Sequence, residues 1–249
     1  MAGGKGTRLS PLTRVINKHF LPIFNKPMIY YSLSILIYSG IKEILIVCNI
    51  GDDILFKKLF KKIIKKYKIK IIYKFQKNKG GGIVEGLTIG FNFIDKADKT
   101  ALILGDNFFY GRLFPKLVKE CLVKKTKKSF IFLSKVSNPN NYGVAYFNKN
   151  KLSKIVEKPL KPRSDYAVTG LYIYNKNVLS SLKKIKPSKR NELEISSLNN
   201  ILLKKKELDY INIGRGTTWF DLGEYQNMFH CAEFIQLIEK RQGSKVCDL

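Results

Sequence analysis

The sequence predicts a mixed α/β fold, in which a β-sheet is flanked by helices, and three observations support this prediction. The chain has 249 residues, of which 45% are hydrophobic and 12% aromatic, values typical of a folded globular protein. Short runs rich in Ile, Val, Leu and Phe alternate with longer amphipathic stretches, as in strands joined by crossover helices. The sequence has no low-complexity linker and no internal repeat. We therefore expect a single domain over residues 1–249.

The first half of the chain is predicted to alternate helices with strands. KPMIYYSLSILIYSG reads as a helix with Pro27 in its first turn and Gly40 just beyond its end. KEILIVCN is predicted to be a buried strand and DDILFKKLFKKIIKK a second helix. The strand YKIKIIYKF, a helix from Gly82 to about Phe93 and the strand TALILGD follow.

The second half contains more strands, and they are shorter. A helix near Leu113 to Lys124 precedes the strands SFIFLSKV, YGVAYFN, LSKIVEK and YAVTGLYIYN. Two helices, from about Asn177 to Lys184 and from about Glu192 to Lys206, lead to the strands LDYINIG and TTWFDLG. The stretch EYQNMFHCAEFIQLIEKRQG is predicted to be a long terminal helix.

The formal net charge of +27 is extreme and raises the question of a nucleic-acid or anionic-membrane partner. Only seven of the 46 basic residues are arginine, and the lysines are spread through nearly every segment. The densest run, FKKLFKKIIKKYKIK, has the pattern of an amphipathic helix with a solvated face. We therefore expect the charge to reflect a lysine-rich composition, and we expect no nucleic-acid partner.

The four cysteines are widely separated and form no C-x-x-C pair, which argues against a zinc site and a disulfide framework. No run approaches the roughly 18 apolar residues of a membrane span, and the N-terminus does not resemble a signal peptide. These features predict a cytoplasmic protein with reduced thiols and no membrane partner.

The segment MAGGKGTRLSPLT contains a glycine cluster that could bind an anion. Gly3, Gly4 and Gly6 would let backbone amides converge on a phosphate, although an ordinary tight turn is the simpler interpretation of the cluster alone. The spacing fits neither the dinucleotide fingerprint nor the P-loop. Arg8 and Lys18 flank the prolyl segment that follows, and these cations would stabilise charge on a transferring phosphoryl group.

The hypothesis of a phosphoryl-transfer site becomes more specific when further motifs are considered. In chain order, the motifs are AGGKGTRLSPLT, NKHFLPIFNKPMIYY, LILGDNFFYG, NYGVAYF, IVEKP, YAVTGLYIY, PSKRNELEI and RGTTWFDLG. Together they resemble the sugar nucleotidyltransferase family. The resemblance implies a Rossmann-like fold with a nucleotide-binding part over about 1–110, a sugar-binding part over about 111–225 and a C-terminal helix over about 224–242. It also implies that most of the family's first strand, and the C-terminal residues that contribute to oligomers, are absent from this sequence.

The resemblance assigns roles to individual residues. Arg8 and Lys18 would be catalytic, and Asp106 and Asp221 would hold Mg²⁺, an ion that is usually bound by one or two carboxylates together with substrate phosphates. A lone aspartate after a strand is more often a turn or cap residue than a metal ligand. Two such aspartates in one sequence strengthen the metal-site interpretation of each. The nucleotide would contact Gly3, Gly4, Gly6, Thr7, Gln76 and Gly82. The sugar phosphate would contact Asn107, Gly143, Glu157, Lys158, Val168 and Arg190.

The activity implied is transfer of a thymidylyl group from dTTP to glucose 1-phosphate, a first step towards dTDP-rhamnose, by a homo-oligomeric enzyme. In YKFQKNKGGGIVEG the family's aspartate is replaced by Gly81 and its second glutamine by Glu85, so UTP or another sugar 1-phosphate is an alternative. A truncated, non-catalytic protein that binds nucleotides or RNA is a second alternative. His19 is expected to orient the loop rather than to titrate.

Overall fold

The computed structural model describes residues 1–76, 82–186 and 193–249, and it shows the predicted mixed α/β fold. The helices are α1 Met28–Tyr38, α2 Asp52–Tyr67, α3 Gly82–Ile89, α4 Phe91–Ile94, α5 Phe114–Val123, α6 Val178–Leu182, α7 Ile195–Lys204 and α8 Tyr225–Gln242. The strands are β1 Pro22–Ile23, β2 Lys26–Pro27, β3 Glu43–Cys48, β4 Lys70–Phe75, β5 Lys99–Ile103, β6 Asn107–Tyr110, β7 Ser129–Lys135, β8 Gly143–Asn148, β9 Lys151–Glu157, β10 Tyr166–Asn175, β11 Leu208–Asn212 and β12 Thr218–Asp221.

Contacts within the chain define two compact units. Unit 1 comprises Met1–Gly80, Ile103–Lys119 and Thr217–Leu249. Unit 2 comprises Gly81–Leu102 and Glu120–Gly216. The predicted division at about residue 110 into nucleotide-binding and sugar-binding parts stays a prediction, because it concerns the roles of the two parts.

Unit 1 contains two strand pairs that carry the candidate site. β3 and β4 are parallel, as expected for strands joined by the crossover helix α2. β6 and β12 are antiparallel, with Asn107 opposite Asp221. The core of this unit includes Leu9, Phe108 and Leu222, and the ring of Phe108 packs edge-on against Tyr31 at 5.3 Å. Burial of these large apolar side chains stabilises the strand ends that bear the polar residues.

Unit 2 is built on a sheet with the strand order β11-β7-β10-β8-β9, in which β5 also pairs with β10. β7 and β11 are parallel, whereas β10 is antiparallel to both β7 and β8. β10 is buried along almost its whole length, which explains its nearly continuous apolar sequence. Its side chains pack with those of α7 in one hydrophobic core.

The lysine-rich helix α2 has the predicted solvated face. Phe56, Phe60 and Ile63 are buried, while the lysines between them lie on the surface. Asp52 and Asp53 occupy the first turn, where negative charge interacts favourably with the helix dipole. Within the described residues, no helix is both long and apolar enough to cross a membrane.

The structure differs from the sequence prediction at α3 and α4 and at β6. The helix predicted from Gly82 to Phe93 is wrong, because Gly90 separates α3 from α4, and glycine is a poor residue for a helix interior. The sequence did not predict β6, since its four residues are too few for a clear strand pattern. Pairing with β12, more than a hundred residues later, makes this segment a strand.

Candidate active site

The glycine cluster forms a loop anchored to β3. The amide of Ala2 donates to the carbonyl of Val47 at 2.7 Å, and Ala2 forms an isolated parallel bridge with Cys48. Gly4 and Gly6 have φ values of 108° and 60°, which residues with a Cβ rarely adopt. The predicted loop therefore depends on glycine at these positions for its backbone conformation.

Gly3 is required for a different reason, namely the close approach of Gln76. A Cβ at Gly3 would lie 1.8 Å from Oε1 of Gln76. The Gln76 side chain is buried, and its Oε1 has no hydrogen-bond partner within the described part of the chain. Two residues predicted to contact the nucleotide are thus in direct contact, and a buried amide oxygen lies beside the glycine loop.

A polar network that the sequence did not reveal supports the loop. The Asn17 amide donates to the Ala2 carbonyl at 2.9 Å and to the Asp52 carboxylate at 2.5 Å. Asn49 also donates to Asp52, at 2.9 Å, and accepts from the Gly4 amide at 3.4 Å. A local signal for Asn17 was its position before the helical turn Lys18–Phe20, where Asn is a favoured N-cap.

Asp106 is a buried carboxylate with fixed partners. The Lys18 ammonium forms an ion pair with Oδ2 of Asp106, and the Asn107 amide donates to Oδ1 at 3.1 Å. The Asn107 carbonyl oxygen accepts a hydrogen bond of 2.7 Å from Trp219. Burial alone would raise the pKa of Asp106, but the adjacent Lys18 and His19 and these hydrogen bonds hold the pKa below its usual range. Asp106 is therefore ionised in the neutral pH range.

Asp221 lies beside Asp106 at the end of β12. The amide of Leu222 donates to the Asp106 carbonyl at 2.8 Å, and the amide of Gly223 donates to Oδ1 of Asp221 at 3.0 Å. Burial raises the pKa of Asp221 to about 6, and the Asp106 carboxylate contributes to the rise. Because their negative charges repel, the two neighbouring carboxylates are difficult to ionise together. A cation close to both would stabilise the state in which both are ionised.

The donor set fits Mg²⁺. Both aspartates offer carboxylate oxygens, the ligands that Mg²⁺ prefers, and Mg²⁺ commonly takes its other ligands from water and substrate phosphates. Within residues 1–76, 82–186 and 193–249, no group of three or more His, Cys, Asp or Glu side chains could hold a metal, so the donors available here are this carboxylate pair.

We expect Asp221 to make the substrate-free protein less stable as the pH rises towards 6. Since its pKa rises from 3.8 to about 6 on folding, the folded protein binds more protons than the unfolded chain in this window, and stability falls with rising pH. Asp221→Asn should therefore raise the thermal unfolding midpoint more at about pH 7.5 than at about pH 4.5. Folding also lowers the pKa of His19 and of the Met1 amine, but these contributions are present in both proteins, so the comparison removes them. An equal gain at both pH values would contradict the prediction.

Arg8 lies in the helical turn Thr7–Leu9, and its guanidinium Nη1 donates to Oε1 of Glu224 at 2.8 Å. Arg8 also contributes to the electrostatic environment of Asp221, where it opposes the rise in pKa. The structure therefore brings together the four residues predicted for catalysis and metal binding, since Arg8, Lys18, Asp106 and Asp221 form one cluster in unit 1. Their catalytic and metal-binding roles stay predictions.

His19 is buried and packs against Gly105, the residue before Asp106. Burial and then the Lys18 charge lower the pKa of His19 to about 3, so the ring is neutral at physiological pH. Its Nδ1 lies 2.6 Å from Oδ1 of Asn17. This environment agrees with the expectation that His19 orients the loop and does not titrate.

Gly105→Ala is expected to destabilise the protein by about 1–3 kcal/mol, a typical cost of overpacking. The new Cβ would lie 2.4 Å from Cδ2 of His19 and 2.8 Å from the Met1 carbonyl oxygen. Urea unfolding measures the loss. Gly216→Ala is the matched control, because a Cβ at Gly216 would meet nothing within 4 Å. Equal stability of both variants would contradict this packing argument.

In unit 2, the structure brings together three of the residues predicted to contact the sugar phosphate. Gly143 pairs with Glu157 across β8 and β9, and a Cβ at Gly143 would lie 3.3 Å from Oε2 of Glu157 and 3.9 Å from Cβ of Val168. Lys158 follows Glu157, is exposed, and donates its amide to the Tyr142 carbonyl at 2.9 Å. The absence of a side chain at Gly143 leaves space beside the Glu157 carboxylate. The roles of these residues stay predictions.

Gly82 and Arg190 are two further residues predicted to contact a substrate. Gly82 begins α3 with a φ of 75°. Arg190 lies outside the described residues, as does Gly81 of the predicted base-recognition loop. Glu85 of that loop is on α3, and its Oε2 is buried with no hydrogen-bond partner among the described residues.

Comparison with known proteins connects these observations. A family model described as "Nucleotidyl transferase" matches residues 1–237. A glucose-1-phosphate thymidylyltransferase from Neisseria meningitidis serogroup A is 40% identical over 250 residues, which cover 100% of this chain and 85% of the relative. A protein of the same name from Mycobacterium tuberculosis strain H37Rv is 37% identical, and the alignment covers 99% of this chain and 84% of the relative.

Solved structures agree with the fold. A Bacillus anthracis chain named for glucose-1-phosphate thymidylyltransferase activity, crystallised with sucrose, has a TM-score of 0.82 and 34% identity, covering 94% of this chain and 92% of that chain. A UDP-glucose pyrophosphorylase complexed with UDP-glucose has a TM-score of 0.82 at 24% identity, covers 95% of this chain and 96% of its own, and shows similarity of fold alone. The family model and the relatives that align with almost all of this chain together establish that it belongs to the nucleotidyl transferase family.

Proposed function

We propose that this protein transfers a thymidylyl group from dTTP to glucose 1-phosphate, forming dTDP-glucose and releasing pyrophosphate. The observation that carries the proposal is the charged cluster of unit 1, in which Lys18 pairs with buried Asp106 beside Asp221. The relatives named glucose-1-phosphate thymidylyltransferase, at 37–40% identity, support the choice of substrates.

The reaction needs no nucleophile from the protein. A phosphate oxygen of glucose 1-phosphate forms a bond to the α-phosphorus of dTTP, and the bond between this phosphorus and the α,β-bridging oxygen breaks. The electron pair of that bond leaves with pyrophosphate. Rate enhancement in such reactions comes from positioning and from stabilisation of charge on the phosphoryl oxygens. The side chains of Arg8 and Lys18 would supply this stabilisation.

Asp106 and Asp221 would hold Mg²⁺, which when bound neutralises triphosphate charge and orients the leaving pyrophosphate. Lys18 is kept in place by the Asp106 carboxylate, so its charge is positioned before substrate binds. Asn107 and Trp219 fix the Asp106 side chain, which limits the reorganisation that the reaction requires.

For the sugar phosphate, we propose contacts with Gly143, Glu157, Lys158 and Val168. The contact predicted for Asn107 stays a prediction. Glu157 would accept hydrogen bonds from sugar hydroxyls, and the Lys158 ammonium would bind the phosphate. We also propose that the enzyme acts in the cytoplasm, where the four buried free cysteines would stay reduced. Assembly into a homo-oligomer stays a prediction.

The test is pyrophosphate release by the 249-residue protein with Mg²⁺, glucose 1-phosphate and, in turn, dTTP, UTP, CTP, ATP and GTP. Turnover that is fastest with dTTP supports the proposal. Turnover that is fastest with UTP would show the same chemistry with a different base, an outcome favoured if Glu85 and Gly81 alter base recognition. Absence of turnover from folded protein, together with salt-sensitive RNA binding, would overturn the proposal in favour of a non-catalytic protein.

A further inference from the structure

We propose that Glu224 is a positioning residue that holds the Arg8 guanidinium over the backbone of Gly223, beside Asp221. The inference deepens the proposed function and rests on it, since the role given to Arg8 is to meet a phosphate of the nucleotide. Three sets of contacts within unit 1 support it.

The first is the ion pair itself. Nη1 of Arg8 donates to Oε1 of Glu224 at 2.8 Å, although the two residues are 216 positions apart. Glu224 is the N-cap residue of α8, yet its side chain makes no capping hydrogen bond. An N-cap Asp, Asn, Ser or Thr side chain ordinarily accepts from the first turn of its own helix. Here the carboxylate instead binds Arg8.

The second is the absence of a side chain at Gly223. A Cβ there would lie 2.6 Å from Nη2 and 3.2 Å from Cζ of Arg8, and 3.1 Å from Oδ1 of Asp221. The guanidinium therefore lies against the Gly223 backbone, close to the Asp221 carboxylate. A larger residue would displace Arg8 even though the Arg8 charge and the Glu224 carboxylate were both retained.

The third set of contacts holds the main chain that carries Arg8. The Tyr225 hydroxyl lies 2.8 Å from the Leu9 carbonyl oxygen and 2.9 Å from the Ser10 carbonyl oxygen, at the end of the Arg8 turn. The start of α8 thus contacts both the backbone of this turn and its cationic side chain. Asp221 lies just before the same segment, so one stretch of chain places a carboxylate and orients the arginine.

The ion pair orients Arg8 without immobilising it. The Arg8 and Glu224 side chains are 52% and 44% exposed, and ion pairs of this kind are weak because water screens them. A guanidinium has five N–H donors, so the bond to Glu224 leaves donors on Nη2 and Nε for phosphate oxygens. Glu224 therefore favours one side-chain conformation of Arg8, and the phosphate completes its hydrogen bonds.

The experiment compares Glu224→Asp with Glu224→Gln. Glu224→Asp keeps the charge but withdraws the carboxylate, whereas Glu224→Gln keeps the length and an accepting oxygen but removes the charge. Positioning predicts that Glu224→Asp lowers kcat by about three- to tenfold, with little change in KM for glucose 1-phosphate, and that Glu224→Gln retains most of the activity. A purely electrostatic role predicts the reverse order, and that order would overturn the proposal.

Three further substitutions sharpen the test. Gly223→Ala should act like Glu224→Asp, because it displaces Arg8 without a change of charge. In an Arg8→Ala background, Glu224→Asp and Gly223→Ala should each change kcat by less than about twofold, since the effects of residues that act through one partner are not additive. The same loss in both backgrounds would contradict a role through Arg8. Asp209→Ala is the matched control, because it removes the Lys128 ion pair, whose side chains are 48% and 41% exposed, and should leave kcat unchanged.

Calorimetry can measure the binding of inorganic pyrophosphate with Mg²⁺ by the same variants. This measurement tests the inference independently of turnover, and therefore independently of the proposed function. Wild-type protein without turnover on any nucleotide would contradict the proposed function. Positioning of Arg8 would still predict weaker pyrophosphate binding by Glu224→Asp and Gly223→Ala, by about threefold or more, and no such effect in the Arg8→Ala background. Unchanged pyrophosphate binding by these two variants would overturn the inference.

Discussion

Asp106→Asn is expected to lower pyrophosphate release by at least about a hundredfold while the protein stays folded. Asparagine preserves the shape of the side chain and can still accept from Lys18, but it removes the negative charge. The Asp106 side chain is only 12% exposed, and its carboxylate lies beside the Lys18 ammonium and near Asp221. The substitution would therefore remove a proposed Mg²⁺ ligand and leave the Lys18 charge without its paired carboxylate.

The measurement is steady-state turnover with dTTP and glucose 1-phosphate at several Mg²⁺ concentrations. Weaker metal binding would be seen as a higher Mg²⁺ requirement in addition to the lower kcat. Asp165→Asn, which alters an exposed ion pair with Lys135 at 3.9 Å, serves as the control and should turn over normally. An Asp106→Asn variant within about threefold of wild type would exclude the role proposed for this carboxylate.

Lys18→Met should have an effect on kcat of similar size, about a hundredfold, because it removes a charge that the structure places in advance. Methionine keeps an unbranched apolar stem of comparable length, so packing along the side chain is largely retained. The Lys18 side chain is only 16% exposed, and its ammonium pairs with Asp106. Without this partner, burial would dominate the Asp106 environment, and the pKa of Asp106 would rise.

Two measurements check this prediction. Turnover of Lys18→Met is compared with that of Lys128→Met, which breaks the exposed ion pair with Asp209 at 3.2 Å and should be nearly neutral. The double variant Lys18→Met with Asp106→Asn should lose much less than the product of the two single losses, because the residues act as a pair. Simple multiplication of the two losses would show that they act independently.

Most strands could be predicted from the sequence because each contains enough apolar and β-branched residues to form a distinct run. β3, β4, β7 and β10 all lie where the pattern predicts them. β6 was missed because its sequence, NFFY, is as short as a turn and becomes a strand through pairing with β12. The break at Gly90 was missed because a single glycine is often tolerated within a helical pattern.

The candidate site also contains residues that could be identified from the sequence and one that could not. Arg8, Lys18, Asp106 and Asp221 could be identified from their motifs, and the structure places them in one cluster. Glu224, in contrast, occurs in the sequence as an ordinary acidic residue before a helix. Its relation to Arg8 is defined by a contact between residues far apart in the chain, which periodicity and local motifs do not encode.

The sequence by itself determined the mixed α/β class, the positions of most helices and strands, and the motifs that indicate the nucleotidyl transferase family. These properties depend on residues close together in the chain, whose spacing selects helix, strand or turn. The tertiary structure alone decided which polar groups are buried together. It sets the opposite pKa shifts of Asp106 and Asp221, keeps His19 neutral and orients Arg8 over Gly223. These effects arise from desolvation and from charges a few ångströms apart, and folding alone brings those charges together.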